Sequence, residues 1–226
     1  MKQTDVMGKA PTTTERRLNA RRPGRPVGGQ LEVDREHVLD AAERVIARDG
    51  AGASIEAVAL EAGVTKPIVY DRVGGRADLA DALAERLADR MVEAANQALQ
   101  SGGQSDDDTG LTRQALTTFI EANLQVVDRH RDLFLYVTGG TTEQTALGRW
   151  KLAERSTTPM TRALVAWRRG FGQSAEVAEP WAFGIVGMLQ MSAMWWLTQS
   201  DRSARDVADQ LAELLWHGLP GGDRPA

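Results

Sequence analysis

"EAGVTKPIVYDRV", residues 61–73, reads as a tight turn followed by a short helix. Gly63 suits a left-handed backbone position, where a Cβ would cost energy. Thr65 is a plausible N-cap, and Pro67 falls in the first turn, where its missing N–H had no intrahelical partner. A core helix of this length would carry more apolar side chains. Here Val64 and Val69 point inward, which leaves Thr65, Lys66, Pro67, Ile68 and Tyr70 outside. Just upstream, Ser54 caps another short helix that carries Ile55, Val58 and Ala59. Two short helices joined through one Gly-containing turn, with a small Ala59 where they cross, have the spacing of a helix-turn-helix.

The outward residues suit a DNA duplex. A recognition helix meets base edges in the major groove with its N-terminal residues. Pro67 and Ile68 offer apolar edges to a thymine methyl. Lys66, Arg76 and the hydroxyls of Thr65 and Tyr70 are within reach of phosphates, and the helix N-termini at Ser54 and Thr65 add partial positive charge.

The pattern around this unit is helical almost throughout. Asp34 begins a helix with Val38, Ala41, Ala42, Val45 and Ile46 at three-to-four spacing, closed by Gly50. After Gly74-Gly75 a long helix carries Leu79, Leu83, Leu87 and Met91. Helices are predicted near 111–128, 131–137, 145–171 (interrupted by Pro159, which should kink or split it), 179–199 and 203–217. The acidic, Gly-rich stretch 101–110 reads as a flexible loop. No segment alternates as a strand. The predicted fold is all-α, about nine helices, with a three-helix N-terminal unit (31–76) and a larger C-terminal bundle (77–226).

Residues 1–30 carry seven basic side chains against two acidic ones, a net +5, which leaves −9 for the rest of a chain whose total is −4. They read as a disordered basic arm, and such an arm suggests a polyanion partner. Within it "RRPGRP", 21–26, is close to the Arg-Gly-Arg-Pro core of AT-hook peptides, with Pro23 in place of the first Arg. Two readings stand. Arg22 and Arg25 enter a narrow A·T minor groove, where negative potential is enhanced, or the arm is a solvated cation that attracts any duplex.

Other function classes find little support. Cysteine is absent, and His37, His130 and His217 form no metal-ligand spacing. There is no nucleophile elbow, phosphate loop or catalytic cluster, so no enzyme, metal or cofactor is expected. The uncharged stretch 180–200 is long enough to span a bilayer but is diluted by Gln190, Ser192, Thr198 and Gln199. It reads better as the centre of a helical bundle. With no signal-peptide pattern, the expected location is cytoplasmic.

The segment "VLDAAERVIARDGAGASIEAVALEAGVTKPIVYDRVGGRADLADAL", 38–83, resembles the DNA-binding domain of the tetracycline-repressor (TetR) family. The resemblance rests on Ala41-Ala42, the Gly50 stop, "AGVTKP" leading to Tyr70, and a basic Arg76 before "ADL". The family usually has a Tyr-x-His-Phe run followed by Lys. Here the run is Tyr70-Asp71-Arg72-Val73, with Arg76 in the Lys place. Val73 fills less core volume than Phe, and Asp71 would repel a phosphate unless Arg72 neutralises it.

The resemblance implies that the second half senses a ligand and forms a homodimer, and that a small apolar or aromatic effector releases the protein, as a repressor, from a palindromic operator. Residues read as pocket lining are Phe119, Phe134, Trp150, Trp167, Phe171, Met188, Met191 and Trp195, with Asn123, Gln125 and Gln190 as candidates for polar orientation. The last two helices suit a four-helix interface between copies. There Gly184, Gly187 and Ser192 permit close approach, and Trp196, Leu211, Leu215 and Trp216 supply buried area. The rival reading is an architectural DNA-binding protein with no effector.

Overall fold

The computed structural model describes residues 34–102, 111–139 and 143–217. The basic arm, the acidic loop and the arginines Arg22 and Arg25 lie outside the described residues. Among those described there are nine α-helices and no strand. They are α1 (Arg35–Asp49), α2 (Ile55–Glu61), α3 (Lys66–Val73), α4 (Arg76–Gly102), α5 (Arg113–Arg129), α6 (Arg131–Thr138), α7 (Glu143–Gly170), α8 (Ala178–Gln199) and α9 (Ala204–His217).

Local signals set the early helix ends. The Asp34 carboxylate accepts from the His37 N–H at 2.8 Å and caps α1. Gly50 ends that helix, and one 3₁₀ turn, Gly50–Gly52, leads to α2. Gly63, between α2 and α3, has φ 67°, and nothing lies within 4 Å of where a Cβ would stand. Its requirement is therefore one of backbone conformation alone. Gly63→Ala should cost about 1–2 kcal/mol of stability, measurable by thermal unfolding. Gly74 combines φ 79° with a tight approach, since a Cβ there would meet the Asp78 carboxylate at 2.5 Å. That carboxylate accepts from the Gly75 N–H at 2.8 Å at the start of α4.

The first three helices pack round Val38, Val45, Ile46, Val58 and Val69, all buried, and Leu79 and Leu83 of α4 join the same core. Farther along, α4 packs against α5 and α7, α7 against α8, and α5 against α9. One apolar core thus runs from α1 to α9.

A chain of charges ties α1 to α4. Glu43 of α1 accepts from Arg90 at 2.9 and 3.0 Å and from Arg86 at 3.2 Å, and Arg86 also reaches Glu36 and Asp40. Arg90 Nη1 lies 3.5 Å from His130 Nδ1, at the junction of α5 and α6. Burial, then the neighbouring Arg90, pushes the His130 imidazolium down from its ordinary range.

Of the kink or split expected at Pro159, the split does not occur: α7 runs as one helix from Glu143 to Gly170. Pro159 is buried, and its missing N–H removes a single ladder bond. The turn continues because Ser156, Thr157 and Met160 are packed inside, and Thr157 Oγ1 donates to the Glu154 carbonyl at 2.7 Å. Packing on both sides overrides the local breaker. The apolar helix α8 belongs to this packing, and no helix among the described residues is long and apolar enough to cross a membrane.

Candidate nucleic-acid interface

The two short helices are joined as the sequence predicts. Ser54 Oγ accepts from the Ala57 N–H at 3.1 Å and caps α2. Its half-buried hydroxyl is thus committed to the helix, so Ser54 would serve a phosphate through the helix N-terminus rather than its side chain. The turn closes with the Val64 N–H on the Ala59 carbonyl at 2.9 Å. Thr65 occupies the N-cap position of α3, but its side chain makes no capping hydrogen bond. Only its carbonyl is used, accepting from Ile68 at 3.0 Å and Val69 at 3.3 Å.

Val69 and Val73 fix α3 to the core, both buried, with Val64 partly buried against them. Val73, smaller than the usual Phe, still reaches that core. The opposite edge is open. Thr65, Lys66 and Pro67 are exposed, Tyr70 is 53% exposed, and Ile68 is half-buried. Of the side chains expected on the reading face, Thr65, Lys66, Pro67 and Tyr70 are therefore open to solvent along α3.

The charges on this edge are paired. Lys66 Nζ meets the Glu56 carboxylate of α2. Chiefly through that contact, with help from its own backbone and Ser54, the Glu56 carboxyl is held below its usual range. Arg72 lies 3.1 Å from Asp71, which is the neutralisation that Asp71 needs beside a phosphate. Arg76 is exposed and donates to the Ala51 carbonyl at 3.2 Å. Sequence reading missed Glu56. The available signal was an acidic residue in the first turn of α2, ten positions before Lys66.

In the second half the expected pocket residues divide. Phe119 and Phe134 are fully buried. Met188 and Trp167 are half-buried, and Trp167 meets Phe171 edge-on, centroids 5.6 Å apart. Trp150, Phe171, Met191 and Trp195 instead stand at the surface, so they do not enclose an interior space in a single chain. Trp150 stacks on Phe183 at 5.6 Å. Of the polar candidates, Asn123 is engaged by the Phe119 carbonyl at 2.8 Å, and Gln125 points along its own helix to Glu121. Gln190 Nε2 is buried with no hydrogen-bond partner among the described residues.

The residues expected between copies also divide. Trp196 is buried within its own chain, its Nε1 donating to the Arg202 carbonyl at 2.7 Å, so it is core rather than interface. Leu211 and Leu215 are partly buried against the core, and Trp216 is exposed. A Cβ at Gly184 or Gly187 would meet nothing within 4 Å. Along α8, Trp181, Gly184, Met188, Met191 and Trp195 recur at alternating three- and four-residue steps, and all but half-buried Met188 are exposed.

Comparison with known proteins follows the same division. Residues 38–83 match the family model for bacterial regulatory proteins of the tetR family, and residues 113–224 match that for the tetracyclin repressor-like C-terminal domain. The HTH-type transcriptional activator FasR of Mycolicibacterium smegmatis is 26% identical over 221 residues, covering 94% of this chain and 96% of that protein. Among solved structures, the fatty acid degradation regulator FadR from Bacillus halodurans superposes with a TM-score of 0.61 at 16% identity, over 81% of this chain and 98% of that one. The TetR family repressor AlkX from Dietzia sp. strain DQ12-45-1b gives 0.58 at 22% identity, over 80% and 94%. The helix-turn-helix with its outward α3 edge, and the helical bundle behind it, therefore place this chain in the TetR family of transcriptional regulators.

Proposed function

We propose that this regulator binds a palindromic operator as a homodimer and acts as a repressor that a small apolar or aromatic effector releases. The observation that carries the reading is the α3 edge. Val69 and Val73 hold the helix from behind while Thr65, Lys66, Pro67 and Tyr70 face water, with Ile68 beside them. Residues 31–76 would then be the DNA-binding part and 77–226 the sensing and dimerising part, in the cytoplasm where the operator is.

Dimerisation is supported by the α8 row from Trp181 to Trp195 and by exposed Leu214 and Trp216 of α9. Apolar side chains of this size in one row mark an association surface. A two-fold axis through it would set two α3 helices about 34 Å apart, one turn of duplex. The effector reading is supported by Gln190 of α8, whose buried amide lacks an acceptor among the described residues. Such a group costs about 1–3 kcal/mol unpaired, and a ligand with one acceptor oxygen would relieve that cost. The ligand must prefer the DNA-incompetent state for any release to follow.

The opposite sign of regulation has one observation in its favour, because the relative FasR is named an activator. The DNA contact is the same in both cases. Deletion of the gene raises target transcripts for a repressor and lowers them for an activator.

The direct test is selection of bound duplexes from a random pool, followed by footprinting. A discrete palindrome is the expected result, whereas a broad footprint with no recovered motif would mean an architectural binder. On the recovered site, Ile68→Ala should relax the choice of a single base, losing about 1–3 kcal/mol of discrimination. Equal weakening on every sequence would move Ile68 off the reading face.

A further inference from the structure

Residues 54–76, the two short helices and the entry to α4, hold three cations (Lys66, Arg72, Arg76) and three carboxylates (Glu56, Glu61, Asp71). The unit expected to meet a polyanion therefore has no net charge. Two of the carboxylates are engaged by arginines, Glu61 away from the reading edge and Asp71 on the exposed face of α3 itself. Glu61 is tied back to α1 through Arg44 at 2.7 Å and Arg48 at 3.3 Å, and Asp71 pairs with its neighbour Arg72. Glu56 differs. It stands 61% exposed in the first turn of α2, and its partner is Lys66, 48% exposed at the first residue of α3. Of the cations in this unit, only Lys66 sits at the N-terminal edge of α3.

From this geometry we infer that Glu56 is an attenuator of DNA affinity: it cancels the charge of Lys66 at the reading edge, so that this edge contributes shape and base contact without net electrostatic pull. The inference rests on the DNA-binding reading above. Its physical basis is counterion release. Each net positive charge delivered to the phosphates adds about −0.9 to the slope of log affinity against log salt. A Lys66–Glu56 unit delivers about zero. The pair is exposed and worth little to stability by itself, so its consequence lies in what it presents to a duplex.

The chain's positive excess sits elsewhere, in the +5 of residues 1–30. An attenuated reading edge leaves nonspecific attraction to that segment, and asks the helix-turn-helix for complementarity alone.

Removing the carboxylate should therefore tighten binding, which is unusual for a change at a recognition surface. The experiment is fluorescence anisotropy of the full chain on two duplexes, the palindrome recovered by selection and poly(dI-dC), across a range of KCl concentrations. Glu56→Gln should steepen the salt slope on both by about 0.9 per subunit, a gain of about five-fold per subunit at 0.15 M salt. Lys66→Ala should shift the slope by the same amount in the other direction. The double variant Glu56→Gln/Lys66→Ala, again neutral, should return to the wild-type slope. Melting temperatures within a few degrees of wild type confirm that folding is intact. An unchanged or weaker Glu56→Gln complex, or a double variant that behaves as Lys66→Ala alone, overturns the inference while DNA binding stands. A wild-type chain that binds neither duplex overturns both.

Discussion

A chain carrying Met191→Glu should run as a monomer in sedimentation and lose operator affinity by about two orders of magnitude or more. The position of the residue is the reason. Met191 is 67% exposed on α8, flanked in the same row by Met188 and by Trp195, 47% exposed. In an isolated chain the new carboxylate would be solvated, and folding would be undisturbed. If the α8 row is the contact between copies, a two-fold axis brings the same patch of both chains together. Two carboxylates would then leave water with no partner, at a cost of several kcal/mol. The operator complex would lose its second half-site, whose contribution is an effective concentration rather than a new contact. A variant that remains dimeric with wild-type affinity would show that the row faces solvent or another partner.

The second large effect is on stability. Phe119→Ala should destabilise the fold by about 3–5 kcal/mol, which for a chain of this size corresponds to a fall of about 10 °C in melting temperature. Phe119 is 1% exposed and lies in the core with Ile120, Leu124 and Phe134, which are fully buried as well. It stands on α5, which packs against α4 on one side and α9 on the other. With its neighbours in this core fully buried, the truncation is expected to leave a void rather than a collapsed site. Melting followed by circular dichroism, at matched protein concentration because oligomerisation shifts the midpoint, is the measurement. A loss under about 1 kcal/mol would mean that α5 is loosely packed, contrary to this core.

The parts of this fold legible in sequence are those with local causes. Asp34, Ser54, Gly50 and Gly63 each act through their own backbone or a hydrogen bond three residues away, and each stands where a cap or turn was expected. Val69 was legible as core because α3 has a definite inward side. The parts that failed needed the third dimension. Pro159 carries a local instruction to kink or split α7, yet the helix is not split there, with Ser156, Thr157 and Met160 buried around it. Helix α8 is apolar nearly all round, so its sequence gives no phase. Trp195 and Trp196 are adjacent and chemically identical, yet one faces outward and the other is core. For the same reason the sequence of α8 does not tell that Met191 stands at the surface of the chain. The Lys66–Glu56 pair depends on two helices crossing, which the spacing of either helix alone does not express.

Helix α4 is a long rod that packs against α1 and α3 as well as α5, α6 and α7. It begins at Arg76, beside the turn that closes α3, and ends at Gly102, with Leu79 and Ala98 both in the apolar core. At 1.5 Å per residue its 27 residues make a rod about 40 Å long. Were one end held, a tilt of only about 5° would carry the other through about 3.5 Å, close to the separation of neighbouring bases along a DNA strand. Were α3 carried along with that end, so small a tilt would suffice to put it out of step with a groove.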